Sequence, residues 1–180
     1  MYQGNHPVAL QSQKFITDAL LNLMESKTFS QIKIKELCEK AQVSRQTFYS
    51  LYDSKEQILE RYFDHMFYTF KVDLKKENTI SLSLVCSSAI TYFIKNAKFI
   101  ELMVHSRLDY ILNRKIRQYL KEFAEEFYVV KAENQEYAIS FLAGALVGII
   151  SQYIENDHFK NDKEISDLIE CILTGNYFVV

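Results

Sequence analysis

What most constrains this chain is a shortage of punctuation: its one proline is Pro7, and only four glycines occur in 180 residues. Hairpins and sheets need turn residues at regular intervals, and this chain does not supply them. An all-helical fold is therefore expected, with the periodic segments beginning after Pro7.

Apolar spacing divides the chain into about nine helices. Residues 12–27 set Phe15, Ile16, Ala19, Leu20, Leu23 and Met24 on one helical face. A short second helix from about residue 33 carries Ile34, Leu37, Cys38 and Ala41, and stops near Gln42-Val43. Ser44 then reads as the N-cap of a very short helix over 45–51. Ser54 with Gln57 makes a capping box that opens a long fourth helix to about residue 75, with a stripe running from Ile58 to Phe70. Five more helices are expected over 81–96, 98–106, 109–128, 134–155 and 162–174, the last capped by Asn161 with Glu164 and closed by Gly175. The expected division falls between residues 53 and 54, giving a head (1–53) and a body (54–180).

Several function classes lack support. Cys38, Cys86 and Cys171 are scattered and odd in number, so neither a disulfide framework nor a metal site is indicated. The polar N-terminus holds no signal-peptide core, and the longest apolar run, Phe141 to Ile150, is too short to span a bilayer. A reducing, cytoplasmic setting with no membrane partner is expected. His105 and Asp109 lie one turn apart, but no nucleophile motif, phosphate loop or third ligand accompanies them. Neither an enzyme nor a cofactor is expected.

Charge supports a different partner. Net charge is −2, yet residues 1–55 carry seven basic against five acidic side chains, while the remainder carries 14 against 18. A basic head on an acidic body suits local phosphate binding. Two short helices joined by a tight turn form a helix-turn-helix. Cys38 and Ala41 keep the helix crossing small, and Val43 anchors the turn. The first turn of the third helix then aims Arg45, Gln46 and Thr47 outward. Arginine pairs with guanine and glutamine with adenine in a major groove. Thr47 and Tyr49 can reach phosphates or a thymine methyl. Ser54 and Lys55 open a helix whose unpaired N–H groups favour a phosphate.

The stretch from Ile34 to Leu59 resembles the TetR/AcrR family signature through Ala41, Val43, Ser44, Thr47, Phe48, Tyr49, Tyr52, Ser54, Lys55 and Glu56. Two positions depart from it: Gln42 stands at the frequent turn glycine, and Lys33 where Ser or Thr often caps the second helix. The resemblance implies double-stranded DNA with a palindromic operator as partner, read by Arg45, Gln46 and Thr47, with Tyr49 at the groove edge. Lys35 would touch a base or phosphate, or stay solvated. Ser44, Thr47, Tyr52 and Lys55 would meet phosphates, with Tyr52 open between that role and the core, and Phe48 in the core.

For the body, the helix over 134–155 is apolar nearly all round, and two glycines inside it suggest close packing. The resemblance implies a homodimer through the last two helices, using Ala143, Gly144, Val147, Gly148, Ile165, Leu168 and Ile169. The surplus of 13 Phe and 12 Tyr fills either a thick core or an apolar cavity. Such a cavity, near Phe63, Phe67, Tyr92, Phe93, His105, Tyr110, Phe123, Phe127 and Phe141, would hold a small apolar or aromatic effector. A repressor released by that effector is the expected function, with an effector-independent regulator or an activator as the alternative.

Overall fold

The computed structural model describes residues 7–77, 79–127, 133–155 and 162–177, and no strand occurs among them. The helices are α1 Pro7–Met24, α2 Ile34–Ala41, α3 Arg45–Leu51, α4 Lys55–Leu74, α5 Leu82–Lys95, α6 Ala97–His105, α7 Asp109–Phe127, α8 Gln135–Glu155 and α9 Asp162–Leu173, with a 3-10 turn at Phe29–Gln31. The expected cap at Asn161 lies outside the described residues.

The first boundary is displaced. α1 begins at Pro7, well ahead of residue 12. Proline holds φ near the helical value, and its missing N–H is one that a first helical turn leaves unpaired anyway. Pro7 therefore opens the helix instead of preceding it.

One apolar cluster runs through head and body alike. Ile16 and Leu20 of α1, Leu37 of α2 and Phe48 of α3 share it with Ile58 and Phe63 of α4, Met103 of α6, Leu112 of α7 and Ala143 of α8. Each of the larger side chains among these, fully buried, stabilises the fold by about 1.5–3 kcal/mol. The packing thus crosses the expected division at 53/54, and α4 is the element that carries it across. Side-chain pairs also tie α4 to α7. Arg114 bonds Glu60, the Lys115 ammonium lies 2.5 Å from Asp64, and the Tyr119 hydroxyl donates to Asp64 at 2.8 Å. Lys115 is buried, so Asp64 offsets a charge that would otherwise sit unpaired beneath the surface.

α9 closes a smaller cluster, in which Ile165 and Ile169 pack against Cys86 and Ile90 of α5. α8 is 21 residues long with a mean hydropathy of 1.6 in its most apolar window, so by length and composition it is long and apolar enough to cross a membrane. The run from Phe141 to Ile150 understated it, because helical residues on both sides extend the apolar stretch. Ile139, Ala143 and Ile150 turn one side of α8 into the protein's own core.

Candidate nucleic-acid interface

The turn between α2 and α3 is built on a left-handed residue. Gln42 has φ 55° and ψ 40°. The Val43 N–H donates to the Cys38 carbonyl at 3.0 Å and the Gln42 N–H to that of Glu39 at 3.2 Å. These two bonds close a helix end that glycine usually completes, because a Cβ in this conformation costs about 1 kcal/mol or more. The turn therefore closes on Gln42 in the left-handed region, with local strain. Val43 is half-buried against the core.

α3 is held from below and presents its polar residues above. The Ser44 hydroxyl accepts the Thr47 N–H at 2.9 Å, a cap worth about 0.5–2 kcal/mol. Phe48 and Leu51 are buried, which fixes the rotation of the helix and leaves Arg45, Gln46 and Tyr49 exposed. The Tyr49 ring stands edge-on to Phe48, centroids 5.3 Å apart, so this exposed aromatic is braced. Thr47 is more committed than expected: its hydroxyl lies 2.9 Å from that of Ser44, and its carbonyl accepts the Ser50 hydroxyl.

Lys35 is exposed and lies 3.8 Å from Glu39, one turn along α2. Lys35, Glu39 and Arg45 line one shallow groove between the two helices, with Cys38 and Val43 at its base. Glu39 was not singled out from the sequence, although its i,i+4 spacing from Lys35 announces the pair. Burial pushes the Cys38 thiol above its ordinary pKa, against the opposing pull of Arg45.

Two expected phosphate contacts turn inward. Tyr52 is 3% exposed and belongs to the core. Burial chiefly raises its pKa, a hydrogen bond with Thr17 opposes this, and Arg61 stacks over its ring. The Lys55 ammonium donates to the carbonyls of Phe29 at 2.7 Å and Ile32 at 2.6 Å. Burial also lowers its pKa. The cap of α4 forms at Ser54, whose hydroxyl accepts the Gln57 N–H at 3.4 Å, and the Gln57 side chain reaches back to the N–H of Asp53 at 2.9 Å.

In the body, the described residues expected around an aromatic cavity lie in different surroundings. Phe63 is core, edge-on to Phe99. Tyr110 and Phe141 are exposed at 57% and 70%, and His105 faces solvent beside Glu101. The Tyr92 hydroxyl bonds the Asp73 carboxylate, and its pKa is pushed up to about 12, by loss of solvent first and Asp73 second. Phe93 and Phe123 are half-buried, and the side chain of Phe127 lies outside the described residues. Phe67 stacks on Tyr119 at 3.8 Å and 11°, and the two line an open groove between α4 and α7 with Asp64, Lys71, Gln118 and Glu122 along its sides.

The expected dimer residues also divide. Ala143, Ile165 and Ile169 are buried within the chain, because the inward stripes of α8 and α9 are needed for its own core. Val147 and Leu168 are half-buried. Gly144 and Gly148 are exposed, and a Cβ at either would meet nothing within 4 Å. Tyr137 and Phe141 continue their line. Among the described residues no group of three His, Cys, Asp or Glu side chains is placed to hold a metal ion.

Residues 81–175 match the model of a TetR-type transcriptional regulator C-terminal region, and residues 16–62 match that of the bacterial regulatory proteins of the tetR family. The chain belongs to the TetR family. The second match spans the cap, turn and helix described above, and the first covers more than half of the chain. A transcriptional activator of the dhaKLM operon, DhaS of Lactococcus lactis subsp. lactis (strain IL1403), is 32% identical over 63 residues, which are 35% of this TetR-family chain and 34% of the relative. That alignment thus spans about a third of the relative's length. Among solved structures, Lin0861 from Listeria innocua superposes with a TM-score of 0.85 at 17% identity, covering 97% of this chain and 96% of the other. A TetR transcriptional regulator from Streptococcus agalactiae 2603V gives 0.65 at 19%, covering 93% and 94%. At these identities the likeness is one of fold. Membership of the family, shown by the two family matches, is what makes this protein an all-helical DNA-binding regulator of transcription with a helix-turn-helix at its N-terminus.

Proposed function

We propose that this protein is a homodimeric, cytoplasmic regulator whose two heads (1–53) read a palindromic operator, each through Arg45, Gln46 and Tyr49, while the bodies (54–180) dimerise. The observation that carries this reading is the fixed rotation of α3, with Phe48 and Leu51 buried and Arg45, Gln46 and Tyr49 outward. Lys35 borders the same surface, and Ser44 and Thr47 serve it chiefly by capping α3. Dimerisation is supported by Tyr137, Phe141, Gly144 and Gly148, which follow one another at i, i+4, i+7 and i+11 along the open face of α8. Operators selected from random duplex pools test the proposal. Binding of one dimer per palindrome, with loss of either half-site weakening it, supports it; selection of unrelated sequences with no symmetry overturns it.

The effector reading moves from an enclosed cavity to the groove between α4 and α7, where the Phe67–Tyr119 stack is the apolar surface. An aromatic compound that shifts the melting temperature of wild type but not of Tyr68→Glu, whose exposed ring borders the groove, would support that seat. Activation is the second reading for the regulatory sign, and one observation favours it: the relative DhaS is an operon activator. Reporter expression in a strain lacking the protein decides between release and loss of transcription.

A further inference from the structure

We propose that Lys55 is a positioning residue, which holds the start of α2 through main-chain carbonyls and neutralises no operator phosphate. Its ammonium reaches back along the sequence from α4 to the connection between α1 and α2. It donates to Phe29 O at 2.7 Å and Ile32 O at 2.6 Å, and it sits 4.5 Å from the centre of the Phe29 ring. An ammonium has three N–H donors. Two are spent on carbonyls, and the aromatic face covers another side. Phe29 and Ile32 are themselves buried, at 6% and 1% exposure, so the ammonium is anchored to rigid backbone. Swinging it out to a phosphate would strip hydrogen bonds from partly desolvated carbonyls, which have no ready substitute.

What this grip controls follows from its place in the chain. Ile32 lies two residues before Ile34, the first residue of α2. Lys33, between them, is the N-cap of α2, and its side chain makes no capping bond. The restraint that a serine or threonine would give here is missing locally and is supplied from α4. A further side-chain link at this end of α2 is the ion pair between Lys27 and Glu36. α2 carries Lys35 and leads through the strained turn into α3, so the direction of α3 depends on how α2 starts. Lys55 is the first residue of the helix that runs on into the body. Beside the apolar packing that α4 shares with the head, Lys55 therefore ties the start of α4 to the start of α2.

The two roles leave different traces in binding. A phosphate contact weakens specific and non-specific binding alike, and its loss makes log K less steep in log salt by about 0.9. A positioning contact aligns α3 with base edges, which matters for the operator and little for an unrelated duplex. The test uses the full dimeric protein with Lys55→Met, which keeps an apolar stem against Phe29 and removes the ammonium. Fluorescence anisotropy on a selected operator and on an unrelated duplex, from 50 to 200 mM salt, reads both affinities. The expected result is an operator affinity lower by about tenfold, with unrelated-duplex affinity and both salt slopes unchanged. Adding Lys33→Ser should recover part of the operator loss by supplying the absent cap, judged against Lys33→Ser alone. A fall in both affinities with shallower slopes overturns the proposal, and so does an unchanged operator affinity. If Lys55→Met melts below the assay temperature, Lys55→Gln offers one donor to the same carbonyls and is read by the same slopes.

Discussion

α3 and α8 both leave one side open to solvent, and they do it with opposite chemistry. On α3 the open side holds Arg45, Gln46 and a braced Tyr49. Charged and amide groups are at home in water and become more useful beside a polyanion. On α8 the open side holds Tyr137 at 79% and Phe141 at 70% exposure, followed by Gly144 and Gly148. Exposed rings beside glycines gain nothing from water, and glycine in a helix costs about 1 kcal/mol against alanine. Within one chain neither glycine relieves a clash. The difference teaches that the polar surface gains from water as it stands, whereas the apolar surface is the one that the proposed dimer would cover.

The comparison breaks most visibly at Gly148. A Cβ there meets no atom within 4 Å, so a side chain can leave the helix without a clash at its root, and the protomer should keep its helical content and thermal transition. A second copy packed on α8 would be displaced, with a buried charge lacking a partner. Sedimentation should show monomer, and operator binding should fall with it. A stable dimer from Gly148→Arg would mean that the open face of α8 is not where copies meet.

Arg45→Ala probes the other surface and should cost about 1–3 kcal/mol, concentrated at one base position of the operator. Anisotropy on single-base variants of the duplex measures this. Equal weakening on every sequence would turn Arg45 into a phosphate contact and blur the contrast between reading and positioning.

A smaller effect is expected in the turn that aims α3. Gln42→Gly should raise stability by about 1 kcal/mol, since a left-handed backbone suits glycine and burdens a side chain. Urea titration at unchanged m-value is the measurement. A destabilised variant would mean that the Gln42 side chain contributes something beyond the turn.

The smallest effect concerns how firmly α9 is kept by its own protomer. Burial, and then Glu170, push the Cys86 thiol up to about 11. The thiolate is the reactive form, so at pH 8 about one Cys86 in a thousand is ready to react, and labelling should accelerate as pH rises toward 11. Cys171 is only half-buried and should label first. If Cys86 reacts as fast as Cys171, α9 opens from α5, and α9 rather than α8 carries the exchangeable face.

The helices were legible because their signals are local. A 3.6-residue apolar period places Ile16, Leu20, Leu37 and Phe48 inward wherever the chain goes next, and Ser44 caps α3 from within its own turn. The exposed side of α3 was legible for the same reason, since the burial of Phe48 and Leu51 leaves Arg45 and Gln46 facing solvent. Pro7 was misplaced because the same residue ends a helix when inside it and starts one when first.

By itself, then, the sequence determined the fold class, the helix-turn-helix and the family, all of which rest on contacts between near neighbours in the chain. Only the tertiary structure decided what long side chains and aromatic rings do. Lys55 finds carbonyls 26 and 23 residues away, Phe67 stacks across to Tyr119 on α7, and Ile165 and Ile169 fill the space against α5 while Gly144 and Gly148 stay open. Each of these outcomes depends on which helix lies alongside. An apolar or charged residue favours burial or pairing as such, and it is the packing of distant segments that selects the partner.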